Sequence, residues 1–354
     1  MLVTGAAGFI GAWVARRLAR AGRRLVLVDD LSAGRPERLD WALAGAPPRA
    51  RTAHEFVLAD VTRPGVLAEI LERAGEVEAV LHLAARVGVR RVLCDPEACR
   101  RENLAGVREL VAACAALPER ARPRVYAAST SEVYAEKAGP LREGDPLREA
   151  CGARSPSNTG RWAYAASKLA GERALDAADL WPAGKGPVHL RFFNITGPGQ
   201  DADAGMVLPT FVEHALAGEP IPVHGDGRQV RTFAHVDEVA RALVCMLARG
   251  DVPAGAVNLG GRARTSIDGL AREVARGVQE LAGPCVPIVR VDPRRHVGAS
   301  FEEVRSREPA LERAAALGLP LPRLGLRAIV RDTLAAARET TLGTRRTACA
   351  SPAS

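Results

Sequence analysis

No apolar run in the 354-residue chain reaches about 18 residues, which argues against a transmembrane helix. The opening Met1-Leu2-Val3-Thr4-Gly5 has no basic stretch followed by a long apolar one, so it does not read as a signal peptide. No C-x-x-C pair is present. The seven cysteines (Cys94, Cys99, Cys114, Cys151, Cys245, Cys285, Cys349) are odd in number and scattered. That argues against a disulfide framework or a zinc site, so no metal is expected, and it fits reduced thiols in a cytoplasm. Lysine is scarce: only Lys137, Lys168 and Lys185 occur, so the formal charge of +8 rests on arginine. A nucleic-acid-binding protein gathers such charge into a patch or tail. Here the arginines are interleaved with Asp and Glu, with no basic block beside aromatics. The expectation is a solvated, arginine-rich surface with neither nucleic acid nor membrane as partner.

Hydrophobic residues make up 47% and charged residues 25%, ordinary for a soluble globular protein. The length predicts two domains, or one large domain with a second lobe. Apolar runs at Leu2-Val3-Thr4, Leu25-Val26-Leu27-Val28, Phe56-Val57-Leu58, Ala79-Val80-Leu81-His82, Val125-Tyr126-Ala127-Ala128 and Val188-His189-Leu190-Arg191 alternate with helical patterns. The first helix places Ile10, Val14 and Leu18 on one face. Such β–α alternation predicts an α/β fold with a doubly wound parallel sheet covered on both faces. After about residue 193 the pattern is irregular, with turn signals at Gly197-Pro198-Gly199 and Gly225-Asp226-Gly227. This reads as a first α/β domain over 1–192 and a smaller mixed α/β lobe over 193–340. A helix at 236–249 is expected to pack back onto the first domain. Residues 341–354, small and polar, read as a disordered tail.

Thr4-Gly5-Ala6-Ala7-Gly8-Phe9-Ile10-Gly11 lies between the first strand and the first helix. In that context Gly5 permits a tight turn, Gly8 lets the backbone approach a pyrophosphate at the positive helix end, and Gly11 allows close helix–strand packing. Asp29-Asp30 follows about 20 residues on, where a carboxylate accepts the ribose hydroxyls of a dinucleotide. It repels a 2′-phosphate, so NAD is expected over NADP. Further along, Tyr164 and Lys168 are one helical turn apart on one face. A phenol with a pKa of about 10 is a poor base near neutrality, and a nearby ammonium lowers that value. Thr130, in Ser129-Thr130-Ser131-Glu132 at the end of the fifth strand, can donate a hydrogen bond to a substrate oxygen while Tyr164 moves its proton.

With these motifs the chain resembles the extended short-chain dehydrogenase/reductase family, in its nucleotide-sugar branch. The resemblance runs from Met1 to about Ala337 and implies a Rossmann-type sheet with a substrate lobe. It implies that Gly5, Gly8, Phe9, Ile10, Gly11, Asp29, Asp60, Val61, Leu83, Ala84, Tyr164 and Lys168 hold NAD. Tyr164 is then the base, Lys168 holds the nicotinamide ribose, and Thr130 completes the triad. R-F-F-N-I-T-G-P-G-Q at 191–200 and H-G-D-G-R-Q-V-R-T-F-A-H-V-D at 224–237 resemble the family's nucleotide-sugar lobe. Asn194, Arg231 and Arg307 are accordingly expected on the sugar nucleotide, the two arginines at its diphosphate. A UDP-sugar substrate, a cytoplasmic location and a homodimer are the family expectation.

The family's chemistry begins with removal of the 4-OH proton and hydride transfer from C4, giving a 4-keto sugar. Its fate separates epimerases, decarboxylases and 4,6-dehydratases. A dehydratase usually carries an Asp-Glu doublet where this chain has Ser131-Glu132, and Ser is a poor proton donor to a leaving hydroxyl. Ser131-Glu132 resembles the doublet of UDP-glucuronate decarboxylases and of many epimerase-like proteins. In a decarboxylase both would join the catalytic set. The second-half motifs resemble the epimerase-like group more, so 4-epimerisation is the first expectation, decarboxylation the second and dehydration the third. A different class, an inactive NAD-binding scaffold on the same fold, is disfavoured by the intact Thr130, Tyr164 and Lys168. The usual Gly after V-Y is Ala135, and the Asp that often follows the Glu308-Pro309 turn is Ala310.

Overall fold

The computed structural model describes residues 1–47, 53–148, 160–182, 184–292 and 304–349. Its main sheet is built from β1 (Leu2–Thr4), β2 (Val26–Asp29), β3 (Glu55–Leu58), β4 (Ala79–His82), β5 (Arg124–Thr130), β6 (Val188–Phe193) and, much later in the chain, β10 (Gly255–Gly260). The strands lie in the order β3-β2-β1-β4-β5-β6-β10, and every neighbouring pair is parallel. This is the doubly wound sheet that the alternation predicts. Its strand order reverses between β1 and β4, which opens a crevice at their carboxyl ends.

The two faces follow from the period-two geometry of strands. Val3, Leu27, Leu81 and Leu190 point to one side. There they meet Val14 and Leu18 of α1 (Phe9–Arg20), with α2 (Pro36–Leu43) beyond. Leu2, Val26, Val80 and Val125 point to the other side. They meet α3 (Val66–Ala74), α5 (Pro96–Ala116) and α6 (Ala163–Ala177) through Leu71, Leu110 and Leu175. The short α4 (Val89–Cys94) precedes α5. Each fully buried Val or Leu contributes about 1.5–3 kcal/mol. The edge strand β3 is the exception to the buried pattern, with Phe56 and Leu58 exposed.

The second half adds a four-stranded sheet of β7 (Ile195–Thr196), β9 (Val230–His235), β11 (Ala263–Ser266) and β13 (Ser306–Arg307), and a pair of β8 (Ile221–His224) and β12 (Ile288–Val291). Their core includes Phe211 of α7 (Val207–Ala217), Leu270 and Val274 of α9 (Ile267–Glu280), and Ile329 and Leu334 of α11 (Leu326–Cys349). Two segments of the second half lie in the first layer. Helix α8 (Val236–Arg249) packs Val239 and Leu243 against the α1 side of the sheet, and β10 extends the sheet beyond β6. The short α10 (Glu312–Ala316) packs near β10. The tail read as disordered from residue 341 is helical as far as Cys349. Ala348 and the arginines there are good helix formers, and no proline interrupts them before Pro352. Residues 350–354 lie outside the described residues.

Candidate active site

The glycine loop sits at the β1/β4 crevice. Gly5 has φ +67°, and a Cβ there would stand 2.7 Å from the Ala84 nitrogen. A Cβ on Gly11 would stand 2.1 Å from the Gly5 carbonyl oxygen. Only glycine lets the loop fold so tightly onto the start of α1. Gly8, the N-cap of that helix, offers no side-chain cap, so the positive helix end is left for an anion. Phe9 and Ile10 anchor the first turn on the core. Leu83 and Ala84 line the opposite lip, their N–H groups donating to Thr4 O (3.2 Å) and Thr4 Oγ1 (3.2 Å). Thr4 Oγ1 also lies 2.9 Å from His82 Nδ1. Burial, with Lys168 adding to it, pushes the His82 imidazole down to about 3, so it stays neutral.

Asp29 braces this loop. Its Oδ2 accepts from Ala7 N (2.9 Å) and its Oδ1 from Leu31 N (2.9 Å). Burial raises its pKa, and those two N–H bonds oppose the rise. A carboxylate has about four lone-pair sites, so two remain for ribose hydroxyls. Asp60 holds Thr62 through its N–H (2.8 Å) and hydroxyl (2.7 Å), while Val61 is buried in the core beneath. The cradle that a Cβ would fill, the open helix end and the acid together fit a dinucleotide.

Tyr164 and Lys168 share one face of α6, with Lys168 Nζ 5.8 Å from the centre of the Tyr164 ring. Thr130 ends β5, and its Oγ1 accepts from Glu132 N (3.3 Å). Burial pushes the Tyr164 phenol up, and the neighbouring Glu132 and Cys99 push the same way. Burial pulls Lys168 down to about 8 against the pull of Cys99 and Glu172. The expected lowering of the phenol by Lys168 is not seen: desolvation disfavours both charged forms.

Several supporting residues are absent from the sequence reading. Asn103 of α5 donates to Ser167 Oγ (2.9 Å) and accepts from Arg86 N (2.7 Å), tying α6 to the segment after Ala84. Glu172, one turn beyond Lys168, takes two bonds from Arg191 (3.0 and 2.6 Å) and one from Ser129 Oγ. A buried Asn inside a helix, and a Glu four residues past the Lys, were the available signals.

The expected sugar-nucleotide residues lie at the border of the two sheets. Asn194, at φ +42°, donates to Thr232 O (2.9 Å) and so joins β6 to β9. Arg231 and Arg307 are register partners on adjacent parallel strands. Arg307 is committed in part to another charge. Its Nη1 donates to Glu132 Oε1 (2.6 Å), while its buried Nη2 has no hydrogen-bond partner among the described residues. Ser131 is buried beside Glu132. The loop carrying Ser155-Pro156-Ser157-Asn158 lies outside the described residues.

The sequence profile of the NAD dependent epimerase/dehydratase family matches residues 1–260. The chain belongs to this family. The family is NAD-dependent, and NAD is the cofactor. A UDP-glucose 4-epimerase of Mycolicibacterium smegmatis is 36% identical over 287 residues, 78% of this chain and 82% of that protein. A UDP-N-acetyl-alpha-D-glucosaminuronate decarboxylase of Bacillus cytotoxicus is 28% identical over 312 residues, 87% of this chain and 88% of that protein. The solved UDP-glucose 4-epimerase of Thermus thermophilus in complex with NAD is 27% identical. It superposes with a TM-score of 0.74 over 95% of this chain and 98% of its own. The epimerase/dehydratase family members similar to this chain thus include epimerases and decarboxylases.

Proposed function

We propose that the protein is an NAD-dependent decarboxylase of a UDP-linked uronate. The observation that carries this reading is the ion pair of buried Arg307 with half-buried Glu132, which neighbours Tyr164, with Arg307 Nη2 still lacking a partner among the described residues. A buried guanidinium N–H without an acceptor is costly, so it calls for an anionic ligand. The carboxylate of a uronate supplies one. Epimerisation of a neutral sugar, the first expectation from sequence, leaves this donor only the diphosphate that all these substrates share, so the carboxylate is the added anion that this reading supplies.

Gly5, Gly8, Gly11 and Asp29 would hold NAD, which supplies the hydride acceptor for C4 when bound. Tyr164 takes the 4-OH proton, with Thr130 hydrogen-bonding the same oxygen and Lys168 standing beside the Tyr164 ring. A keto group at C4 stands β to the C6 carboxylate. The C5–C6 bond then breaks, CO₂ leaves, and its electron pair passes to the C4 oxygen as an enolate. A proton returned to C5, hydride given back to C4 by the reduced cofactor and the Tyr164 proton given back to the C4 oxygen would complete a redox-neutral balance. Glu132 compensates Arg307, so that the carboxylate is oriented without being held by a full unopposed charge.

The second reading, 4-epimerisation, is supported by the 36% identical relative. The deciding experiment offers UDP-glucuronate, its 2-acetamido analogue and UDP-glucose separately, and resolves products by mass and NMR. Loss of CO₂ from either uronate is expected. An unchanged mass with inversion at C4 of UDP-glucose, and inert uronates, would replace this reading by the epimerase.

A further inference from the structure

Asp201 follows the Gly197-Pro198-Gly199 turn of the second half, yet it reaches across to α2 of the first. Its Oδ1 is 2.7 Å from Arg35 Nη2 and its Oδ2 is 2.8 Å from Arg38 Nη2. Arg38 Nη2 also donates to Gly199 O (2.6 Å). Both arginines belong to the wall of the dinucleotide site. The peptide of Ala7 in the glycine loop donates its N–H to Asp29, and its carbonyl accepts from Arg35 N (3.1 Å) and Arg38 Nη1 (3.5 Å). Asp29, Arg35 and Arg38 thus surround one loop residue.

In this fold the acid ending β2 takes the 2′-hydroxyl of the adenosine ribose, whereas an arginine nearby accommodates a 2′-phosphate. This chain carries the acid and two such arginines. We propose that Asp201 determines the choice between NAD and NADP by occupying Arg35 and Arg38. With one carboxylate oxygen on Nη2 of each arginine, it occupies N–H groups that a 2′-phosphate would take. It also sets a negative charge against a group carrying about −1.5 to −2. Asp30, fixed on Ser32 through its N–H (3.0 Å), adds to the same field. The Arg38 and Asp201 side chains are 14% and 22% exposed, so solvent screens this pair less than the outer one to Arg35, at 55%. The acid ending β2 is therefore half of the selectivity device, and the other half comes from a loop more than 160 residues away in sequence.

The test is a calorimetric titration of the cofactor-stripped full chain with NAD⁺ and NADP⁺, which needs no substrate. The wild type is expected to prefer NAD⁺. Asp201→Asn keeps the size of the side chain and removes its charge. It should shift the ratio of the two dissociation constants toward NADP⁺ by tenfold or more, and the shift should shrink as salt is raised. Adding Arg38→Met to Asp201→Asn should reverse the gain. Asp201→Ser, which leaves the arginines a hydroxyl acceptor, is the second variant should the Asn variant fold poorly, and the same ratio is read. Equal weakening of both cofactors, or an unchanged ratio, would make Asp201 a structural latch only and overturn the proposal.

Discussion

Glu132 and Arg307 stand 175 residues apart in sequence and 2.6 Å apart in space. The bond joins the turn after β5, which carries Thr130, to β13 of the second sheet. Both side chains are well shielded, at 22% and 9% exposure. The pair therefore behaves as an internal charge couple near Tyr164, unlike the many solvated Arg–Glu contacts of the surface.

Replacing Arg307 by Lys keeps a positive charge and loses the planar fork. Truncating a buried hydrogen-bonded charge pair costs about 2–5 kcal/mol. We expect CO₂ release from UDP-glucuronate or its 2-acetamido analogue to fall by roughly 10²-fold, with NAD binding unchanged. Rate by mass spectrometry and affinity by titration check the two halves. A Lys variant at full rate would remove Arg307 from the site.

Tyr164→Phe keeps the ring and deletes the hydroxyl. Turnover is expected to drop by about 10²–10⁴-fold, the usual worth of general acid–base catalysis. NAD affinity should be retained, since the ring still packs in place. A Phe variant close to wild-type turnover would show that another group takes the proton.

With three lysines in the chain, the Lys168 amine can be followed directly by NMR of lysine-labelled protein. One resonance should titrate near pH 8, and it should vanish in Lys168→Met. The sign follows from burial. Lys168 is neutral above that pH, while the unfolded chain still binds the proton up to about 10.4. Between the two values the unfolded state holds more protons, so the contribution of Lys168 to stability rises with pH. Fluorescence-monitored urea unfolding of the cofactor-stripped chain should show this rise relative to the Met variant.

Glu172→Gln leaves the buried Arg191 guanidinium uncompensated. Removing one partner of a buried pair costs about 3–5 kcal/mol. The urea midpoint should fall accordingly, and Glu172→Gln with Arg191→Met should recover part of the loss. A midpoint within error of wild type would mean that water or the Tyr134 ring, 4.8 Å from the guanidinium, satisfies Arg191 alone.

The sheet and the tight glycine turn after β1 were legible because their signals are local. Apolar runs such as Leu25-Val26-Leu27-Val28 are buried on both faces, and Gly5, Gly8 and Gly11 answer to steric limits within a single turn. The spacing of Tyr164 and Lys168 likewise follows from the pitch of one helix. The pairings of Arg307 with Glu132, and of Asp201 with Arg35 and Arg38, join segments far apart in the chain. No short-range pattern encodes them. The direction of the Tyr164 pKa depends on burial, a property of the assembled fold, and a spacing argument sees only the neighbouring lysine. The tail misled for a simpler reason: small residues read as disorder also suit a helix when its preceding turns are anchored, as Ile329 and Leu334 are.

Strand β10 closes the main sheet after an excursion of more than 60 residues through the second half, pairing along β6 from Val188 to Phe193. A fragment that stopped near residue 200 would retain the whole cofactor loop and the Tyr-Lys helix. It would nonetheless leave the β6 edge without its ladder and strip α8 from Val14 and Leu18. The first 200 residues, which read in sequence as a self-contained layer, thus borrow a strand and a helix from the second half.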